Sequence, residues 1–327
     1  MSNKKFAESE RTKSDLESSK CIFWCIKIVK QFYGKKIIFP LKIGLGVILL
    51  YATFTKFDFS VFSKIDIKLY FLIITLTNSL FITALRSLKW DIILSQLYQQ
   101  RHPFRRIFNL ILIGQFFAFF TPSRTGDMIR AKYVKNKLGY KKSFSSVIID
   151  KIFDIVSIGI FAILGFLYMR DKLIDLVDFH FAVAIPIIIV FFVLAILSAY
   201  IFRENLWKFY QILFDFGIRA NKRIFFDVLL LSIIIWFLTY LQFYFVALMV
   251  NESPPFLDVI SLSSVYTVIL FLPISINGIG IREWMSAILF PLIGIQLEIG
   301  IIIAWIVAIN NSLLPAVLGY LSLLRED

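Results

Sequence analysis

Long apolar runs separated by short polar connections account for most of the chain. A helix needs about 20 residues to cross the hydrocarbon core of a bilayer, and six of the runs reach or approach that length. They lie at about 37–57, 67–85, 152–169, 181–202, 228–250 and 299–321. This pattern predicts an all-α integral membrane protein, a polytopic helical bundle of about six full spans.

Two further apolar runs, 107–120 and 259–272, are too short to cross. As helices they would be only about 21 Å long, against a hydrocarbon core of about 30 Å. The first run breaks at Thr121–Pro122 and the second at Pro273. We therefore predict two re-entrant hairpins, which enter the bilayer and turn back. Their returning limbs are predicted at 127–150 and 284–297.

Similar residues follow the two breaks. The first reads Pro122-Ser123-Arg124-Thr125-Gly126-Asp127, and the second continues to Asn277-Gly278-Ile279-Gly280-Ile281-Arg282-Glu283. Paired short segments interrupted by Gly and Pro are typical of a binding site between inverted repeats of a transporter. The alternative is two ordinary loops that contain Pro and Gly, as many loops do.

The basic residues fix the predicted orientation. They concentrate in the N-terminal tail and in the segments 86–106, 124–151 and 203–223. Because cytoplasmic connections carry an excess of Lys and Arg, both termini are predicted to lie in the cytoplasm, in a multi-pass protein of the cytoplasmic membrane. The net charge of +13 is therefore expected to attract anionic lipid headgroups rather than nucleic acid.

Three parts of the chain are distinguished by composition. Residues 1–20 are polar and are predicted to be a disordered cytoplasmic tail. Residues 21–36 mix apolar and Lys positions and are predicted to be an amphipathic juxtamembrane segment, with a linker lacking a function as the alternative. Residues 37–324 form the predicted transmembrane domain. Overall, 59% of residues are hydrophobic, which suits lipid as the main solvent.

The tips of the predicted hairpins carry the candidate chemistry. Irregular backbone and charge are costly at membrane depth, so their presence there favours a functional site. Arg124 and Arg282 are suited to binding a phosphate, helped by the helix N-termini that follow. Asp127 and Glu283 either neutralise the arginines or carry protons. The other candidate residues are Arg130 and Asn277 for binding, and Pro122, Gly126, Pro273, Gly278 and Gly280 for hairpin shape.

Charged residues near the ends of spans have less specific predictions. Asp150 and Asp154 share one helix face at i, i+4 spacing and, with Lys151, either hold the first hairpin in place or begin a solvated helix. Arg130 is predicted to lie at the membrane surface among headgroups. Arg86 and Lys89 are predicted to end a span by extending their side chains to the surface.

No motif for a cofactor or a metal is present in the sequence. The two Cys and two His residues lack ligand spacing, and there is no nucleotide-binding loop or catalytic constellation. We therefore expect no cofactor, no metal and no enzymatic activity. Oligomeric state, the lipid, its direction and the driving force are left open by the sequence.

Two motifs resemble those of a known family. The runs Thr121–Arg130 and Ser146–Asp154, together with Leu272–Glu283, resemble the lysylphosphatidylglycerol synthase transmembrane region, also called the flippase-like domain. The resemblance covers about 37–324 and does not extend to the aminoacyl-transferase domain of some members. It implies lipid translocation, with the family's motif positions at Pro122, Arg124, Gly126, Asp127, Gly278, Gly280, Arg282 and Glu283.

The expected function is therefore that of a flippase-like transporter. Its substrate would be an anionic phospholipid or a polyprenyl-phosphate-linked lipid. Two alternatives remain from the sequence: an integral-membrane transferase acting on a lipid phosphate, and a membrane scaffold that binds an enzyme of envelope lipid synthesis.

Overall fold

The structure is a computed structural model, and it describes most of the predicted transmembrane domain. The described residues are 38–55, 57–58, 60–61, 67–98, 102–138, 140–172, 222–271 and 277–325. The predicted tail 1–20, the segment 21–36, the apolar run 181–202 and Pro273 lie outside the described residues.

Every regular element in the described ranges is helical. The α-helices are α1 (Ile38–Phe54), α2 (Leu69–Tyr98), α3 (Phe104–Phe119), α4 (Arg130–Leu138), α5 (Tyr140–Tyr168), α6 (Lys222–Met249), α7 (Phe256–Phe271), α8 (Ile281–Leu289), α9 (Leu297–Ala308) and α10 (Leu314–Leu323). Shorter elements are the 3₁₀ helices Pro122–Ile129 and Phe290–Ile293, and a π turn at Ile309–Leu313 that joins α9 to α10.

Three helices are long and apolar enough to cross a membrane: Leu69–Leu97, Lys222–Met249 and Leu297–Leu323. In Lys222–Met249 and Leu297–Leu323 apolar residues surround the helix, whereas Leu69–Leu97 is apolar mainly in its first half and carries Arg86, Lys89 and Asp91 in its second. Helix α1 matches the predicted run 37–57, and α5 contains nearly all of the predicted run 152–169 after a more polar first part. The chain is therefore an all-α membrane protein.

The first interrupted segment consists of α3 and the 3₁₀ helix that follows it. Helix α3 has 16 residues, or about 24 Å of length. At its end the Thr121 hydroxyl donates to the carbonyl of Phe117 (3.1 Å) and accepts from the amide of Gly126 (2.7 Å). A Cβ atom at Gly126 would overlap the backbone of Phe117. The 3₁₀ helix therefore lies tightly against α3.

The predicted return limb 127–150 is wrong as a single element. The 3₁₀ helix takes its first residues, α4 covers Arg130–Leu138, and α5 begins at Tyr140 and continues through the next predicted run. The physical reason is composition: α4 contains four Lys or Arg residues in nine, so it cannot form an apolar limb within lipid.

The second interrupted segment consists of α7, a tight turn and α8. Helix α7 again has 16 residues, about 24 Å, and α8 has nine. Asn277, Gly278 and Gly280 have φ angles of 50°, 79° and 85°. A Cβ atom at Gly280 would overlap the backbone of Gly46 in α1. The tip of this segment therefore packs directly on the first helix.

One end of the bundle gathers the connections that the sequence predicts to be extracytoplasmic. The amide of Lys68 donates to the carbonyl of Met249 over 2.9 Å. The Lys172 ammonium bonds Asp258 over 2.8 Å, and the amide of Asp58 approaches Glu298 at 3.5 Å. The start of α2, the end of α5, the end of α6 and the start of α9 thus share one side.

Each interrupted segment has its own apolar core. The core of the first contains Trp90, Ile107 and Val147, from α2, α3 and α5. The core of the second contains Tyr266, Phe290 and other residues of α6, α7 and α9. The last span reaches both, because α9 packs in the second core while Gly319 of α10 lies against the backbone of Leu112 in α3.

Candidate functional site

A cleft lies where the tips of the two interrupted segments meet. Arg124 lines it from the first segment, and Asn277, Gly278 and Arg282 line it from the second. Its empty volume, including the open mouth, is about 800 Å³. Aromatic and small polar residues of the long helices complete the wall, among them Trp236, Thr239, Phe243, Tyr266, Asn311 and Ser312.

The cleft lies deep in the bundle. Trp236 is about 20 Å along α6 from the end at Met249, and Asn311 is about 21 Å along the last span from Leu297. Both reference points belong to the same end of the molecule. These distances are well over half of a hydrocarbon core of about 30 Å, so Trp236 and Asn311 lie far from the ends of their apolar helices.

Arg124 has an unusual backbone and no close counter-ion. Its φ angle is 55°, a left-handed conformation that costs a non-Gly residue about 1–2 kcal/mol. Its half-buried guanidinium makes no hydrogen bond or ion pair with the described residues, although it interacts at longer range with Asp127 and Asp154. Such strain is found where surrounding structure fixes a functional group.

Arg282 and Glu283 begin helix α8, but they do not pair with each other. A guanidinium nitrogen of Arg282 donates to the carbonyl of Asn277 over 2.6 Å. One carboxylate oxygen of Glu283 accepts from the Gly280 amide (2.7 Å), and the other accepts from the Trp305 indole (2.9 Å). Glu283 therefore caps α8 and anchors it to α9, while Arg282 stiffens the turn and faces the cleft.

Next to the cleft, six charged side chains form one buried, alternating chain of contacts, which we call the charge network. In order it consists of Asp154, Lys89, Asp150, Arg130, Asp127 and Lys151. The Lys89 ammonium lies 2.6 Å from Asp154 and 2.8 Å from Asp150. Arg130 lies 2.5 Å from Asp150 and 3.5 Å from Asp127, which also contacts Lys151.

The charge network corrects two predictions. Lys89 was expected to reach the membrane surface but is 0% exposed, and Arg130 was expected among headgroups but is 1% exposed. The guanidinium of Arg130 also lies over the ring of Trp90, 4.6 Å from its centroid. The reason is that the carboxylates of Asp127, Asp150 and Asp154 lie against these two cations, which makes an interior position tolerable.

The cleft and the charge network are joined through helix α6. The indole of Trp236 lines the cleft and donates to Asp154 over 3.3 Å. Ser232, one turn earlier, lies 3.2 Å from the Lys89 ammonium. The cleft wall at Trp236 is therefore in direct contact with the charges that hold the first segment.

The predicted site residues that the structure describes thus line the cleft, form the charge network or shape the two tips. Arg124, Asn277, Gly278 and Arg282 line the cleft. Asp127, Arg130, Asp150, Lys151 and Asp154 form the charge network, while Glu283 and Gly280 shape the second tip. Pro122 begins the 3₁₀ helix and Gly126 lets it approach α3.

Lys89 and Trp236 belong to the site but were not predicted as site residues. Lys89 had one available signal: the apolar pattern continues past it through Trp90, Ile93 and Leu94, so it stands inside a helix rather than at the end of one. No group of three or more His, Cys, Asp or Glu side chains in the described part of the chain is arranged to hold a metal.

Comparison with known proteins agrees with this architecture. A UPF0104 membrane protein of Pyrococcus horikoshii is 22% identical over 259 residues, which cover 68% of this chain and 77% of the relative. No solved structure matches. The family model described as the lysylphosphatidylglycerol synthase TM region matches residues 38–319, from α1 into α10. The chain therefore belongs to the family of the lysylphosphatidylglycerol synthase transmembrane region.

Proposed function

We propose that this protein moves an anionic, phosphate-bearing lipid between the leaflets of the cytoplasmic membrane. The lipid is a phospholipid or a polyprenyl-phosphate-linked lipid. One observation carries the proposal: Arg124 and Arg282, from two separate interrupted segments, line one cleft among the long apolar helices. Neither arginine has an ion pair with a described residue.

The chemistry of the cleft suits the crossing of a headgroup. A bare phosphate in hydrocarbon loses its water and is strongly disfavoured. Two guanidinium groups replace that water with charge-assisted hydrogen bonds, for which their planar donors are well matched to phosphate oxygens. Thr239, Asn311 and Ser312 offer further polar groups along the wall. The lipid tail remains among apolar side chains and surrounding lipid.

We also propose that the two interrupted segments are re-entrant hairpins of opposite direction, accompanied by six full spans. Helices α3 and α7 support this, because at about 24 Å each is shorter than the hydrocarbon core. Their tips meet in the cleft, as expected for broken helices around a transport site. In this arrangement both termini are cytoplasmic.

We propose in addition that the protein is a transporter and not a transferase, and that it works without a cofactor. The cleft supports this reading, because the described residues that line it offer guanidinium, amide, hydroxyl and aromatic groups but no carboxylate, thiol or imidazole.

The proposal is tested with purified protein in liposomes that contain acyl-labelled fluorescent phosphatidylglycerol. A membrane-impermeant quencher reports the fraction of label in the outer leaflet. Wild-type protein is expected to make nearly all of the label accessible, whereas liposomes without protein retain about half. Arg124→Gln and Arg282→Gln are each expected to slow transport about 100-fold, as loss of a buried charge-assisted contact of about 3 kcal/mol predicts.

The matched control is Arg325→Gln, which removes an exposed arginine far along the chain from either tip. Its transport rate should equal that of the wild type. Equal rates for all four proteins would reject the proposal. Mass spectrometry of the recovered lipids separates transport from transfer, because a new covalent lipid product would favour the transferase.

A further inference from the structure

We propose that the cleft selects a headgroup phosphate with two negative charges, a phosphomonoester or a diphosphate, over a phosphodiester with one. The inference rests on the proposed function for the statement that the ligand is a lipid. It arises from the balance of charge around the cleft and from a third arginine, Arg86, which the sequence had assigned only to the end of a span.

The charged groups around the cleft do not cancel. The charged groups around the cleft include six cations, which are Arg86, Lys89, Arg124, Arg130, Lys151 and Arg282. They include four carboxylates, which are Asp127, Asp150, Asp154 and Glu283. Among these described residues the cations therefore exceed the carboxylates by two.

The carboxylates are also already engaged. Asp127, Asp150 and Asp154 all make ion pairs with Lys89, Arg130 or Lys151 in the charge network. Both oxygens of Glu283 accept hydrogen bonds from neutral donors. The three groups left to face an incoming ligand are the guanidinium groups of Arg86, Arg124 and Arg282.

Arg86 belongs to this set by its place on helix α2. It lies one turn before Lys89, whose ammonium contacts Asp154, the residue bound by the cleft-lining Trp236. On the same face two turns earlier, the Ser79 hydroxyl donates to the carbonyl of Asn310, which adjoins the cleft-lining Asn311. Arg86 therefore lies on α2 between two contacts that border the cleft. Arg86 is half-buried and forms no ion pair within the described ranges.

This surplus matches a doubly charged ligand. At neutral pH a phosphomonoester carries about −1.5 to −2 charges, because its second pKa is about 6. A phosphodiester carries one. A surplus of two positive charges in a partly desolvated cleft attracts the phosphomonoester more strongly than the phosphodiester. A headgroup with an added amino group is neutral or cationic overall, so the cleft attracts it least strongly.

A matched pair of lipids tests the inference. Dioctanoyl phosphatidic acid and dioctanoyl phosphatidylglycerol have the same tails, but the first is a phosphomonoester and the second a phosphodiester. Each is titrated into the full-length protein in detergent by calorimetry. At about pH 7.5, phosphatidic acid is expected to bind about ten-fold more tightly, and the preference should vanish near pH 5, where its second charge is lost.

Two variants connect the preference to Arg86. Arg86→Gln should bring the two affinities to within about two-fold of each other, whereas Arg86→Lys, which keeps the charge, should retain most of the difference. Arg325→Gln serves as the control for an arginine outside the cleft. A preference that is unchanged in Arg86→Gln would overturn the assignment of Arg86.

The outcomes also separate this inference from the proposed function. Equal wild-type affinities for the two lipids, with phosphatidylglycerol transport still lost in Arg282→Gln, would overturn the inference and leave the proposed function standing. Absence of binding and of transport for both lipids would overturn both. Inorganic phosphate binding as tightly as phosphatidic acid would keep the doubly charged anion but reject a lipid as its source.

Discussion

At the scale of single residues, the charge network depends most on Lys89. It is 0% exposed and contacts both Asp150 and Asp154. Lys89→Met leaves Asp154 without its cation, and loss of one partner of a buried pair costs about 3–5 kcal/mol. We expect a clear fall in the midpoint of thermal unfolding in detergent, followed by tryptophan fluorescence.

Two further variants control for this result. Lys89→Met combined with Asp154→Asn removes the stranded charge and should recover part of the loss, which a double-mutant cycle measures. Lys172→Met breaks an ion pair whose lysine is 46% exposed, so it should change stability by only about 0–1 kcal/mol. The role assigned to the network is refuted if Lys89→Met and Lys172→Met are equally mild.

Residue-scale prediction from sequence identified the polar residues of the two tips. Arg124, Asn277 and Arg282 follow breaks that the sequence shows, and all three line the cleft; that they bind a substrate stays a prediction. Lys89 was misplaced because its partners Asp150 and Asp154 come from a helix more than 60 positions away in the chain. Spacing within one helix carries no information about such partners, since it reports only neighbours three or four residues apart.

At the scale of elements, the second interrupted segment is held by the close approach of Gly280 to α1. Gly280→Ala is expected to lower stability by more than about 2 kcal/mol, because it adds overlap with Gly46 to the cost of a left-handed backbone, itself about 1–2 kcal/mol. Thermal unfolding and the liposome transport rate provide the measurement, and both should fall.

Gly294 offers a matched control for that variant. Its φ angle is 82°, close to that of Gly280, but a Cβ atom there would meet nothing within 4 Å. Gly294→Ala should therefore show the backbone cost alone and preserve transport. Similar losses in the two variants would show that contact with α1 does not hold the segment.

Element boundaries were predicted well from apolar runs and poorly elsewhere. The short lengths of α3 and α7 follow from their apolar stretches and the breaks after them. The π turn at Ile309–Leu313 could not be predicted, because it depends on tertiary contact: the Ser79 hydroxyl donates to the carbonyl of Asn310 over 2.5 Å. Such turns often mark functional sites, and this one presents Asn311 and Ser312 to the cleft.

At the scale of the whole molecule, the proposed orientation is open to a labelling test. Cys21 and Cys25 are first replaced by Ser, and single cysteines are then introduced as Ser253→Cys or Arg325→Cys, both at exposed positions. An impermeant maleimide should label the first in intact cells. The second should react only after the membrane is permeabilised, because the proposed arrangement places it in the cytoplasm.

Labelling of Arg325→Cys in intact cells would show that the orientation is reversed or that the proposed topology is wrong. A cysteine at Ser253 also reports on the end where α5, α6 and α9 come together, joined by contacts such as that of Lys172 with Asp258. This end was predicted from connections that lack a net excess of basic residues. The repeated Pro, Gly and Arg pattern predicted one site for the two interrupted segments, but it carried no information about which side chains of the long helices complete the cleft.

The charge network has a consequence for biosynthesis. Arg130 lies between Trp90 of α2, which is made before it, and Asp150 of α5, which the ribosome completes later. Lys151, the other charged partner of Asp127, also lies on α5. Until about twenty further residues have emerged, Asp127 and Arg130 have only each other as charged partners. We therefore expect stable integration of the first interrupted segment to wait for α5.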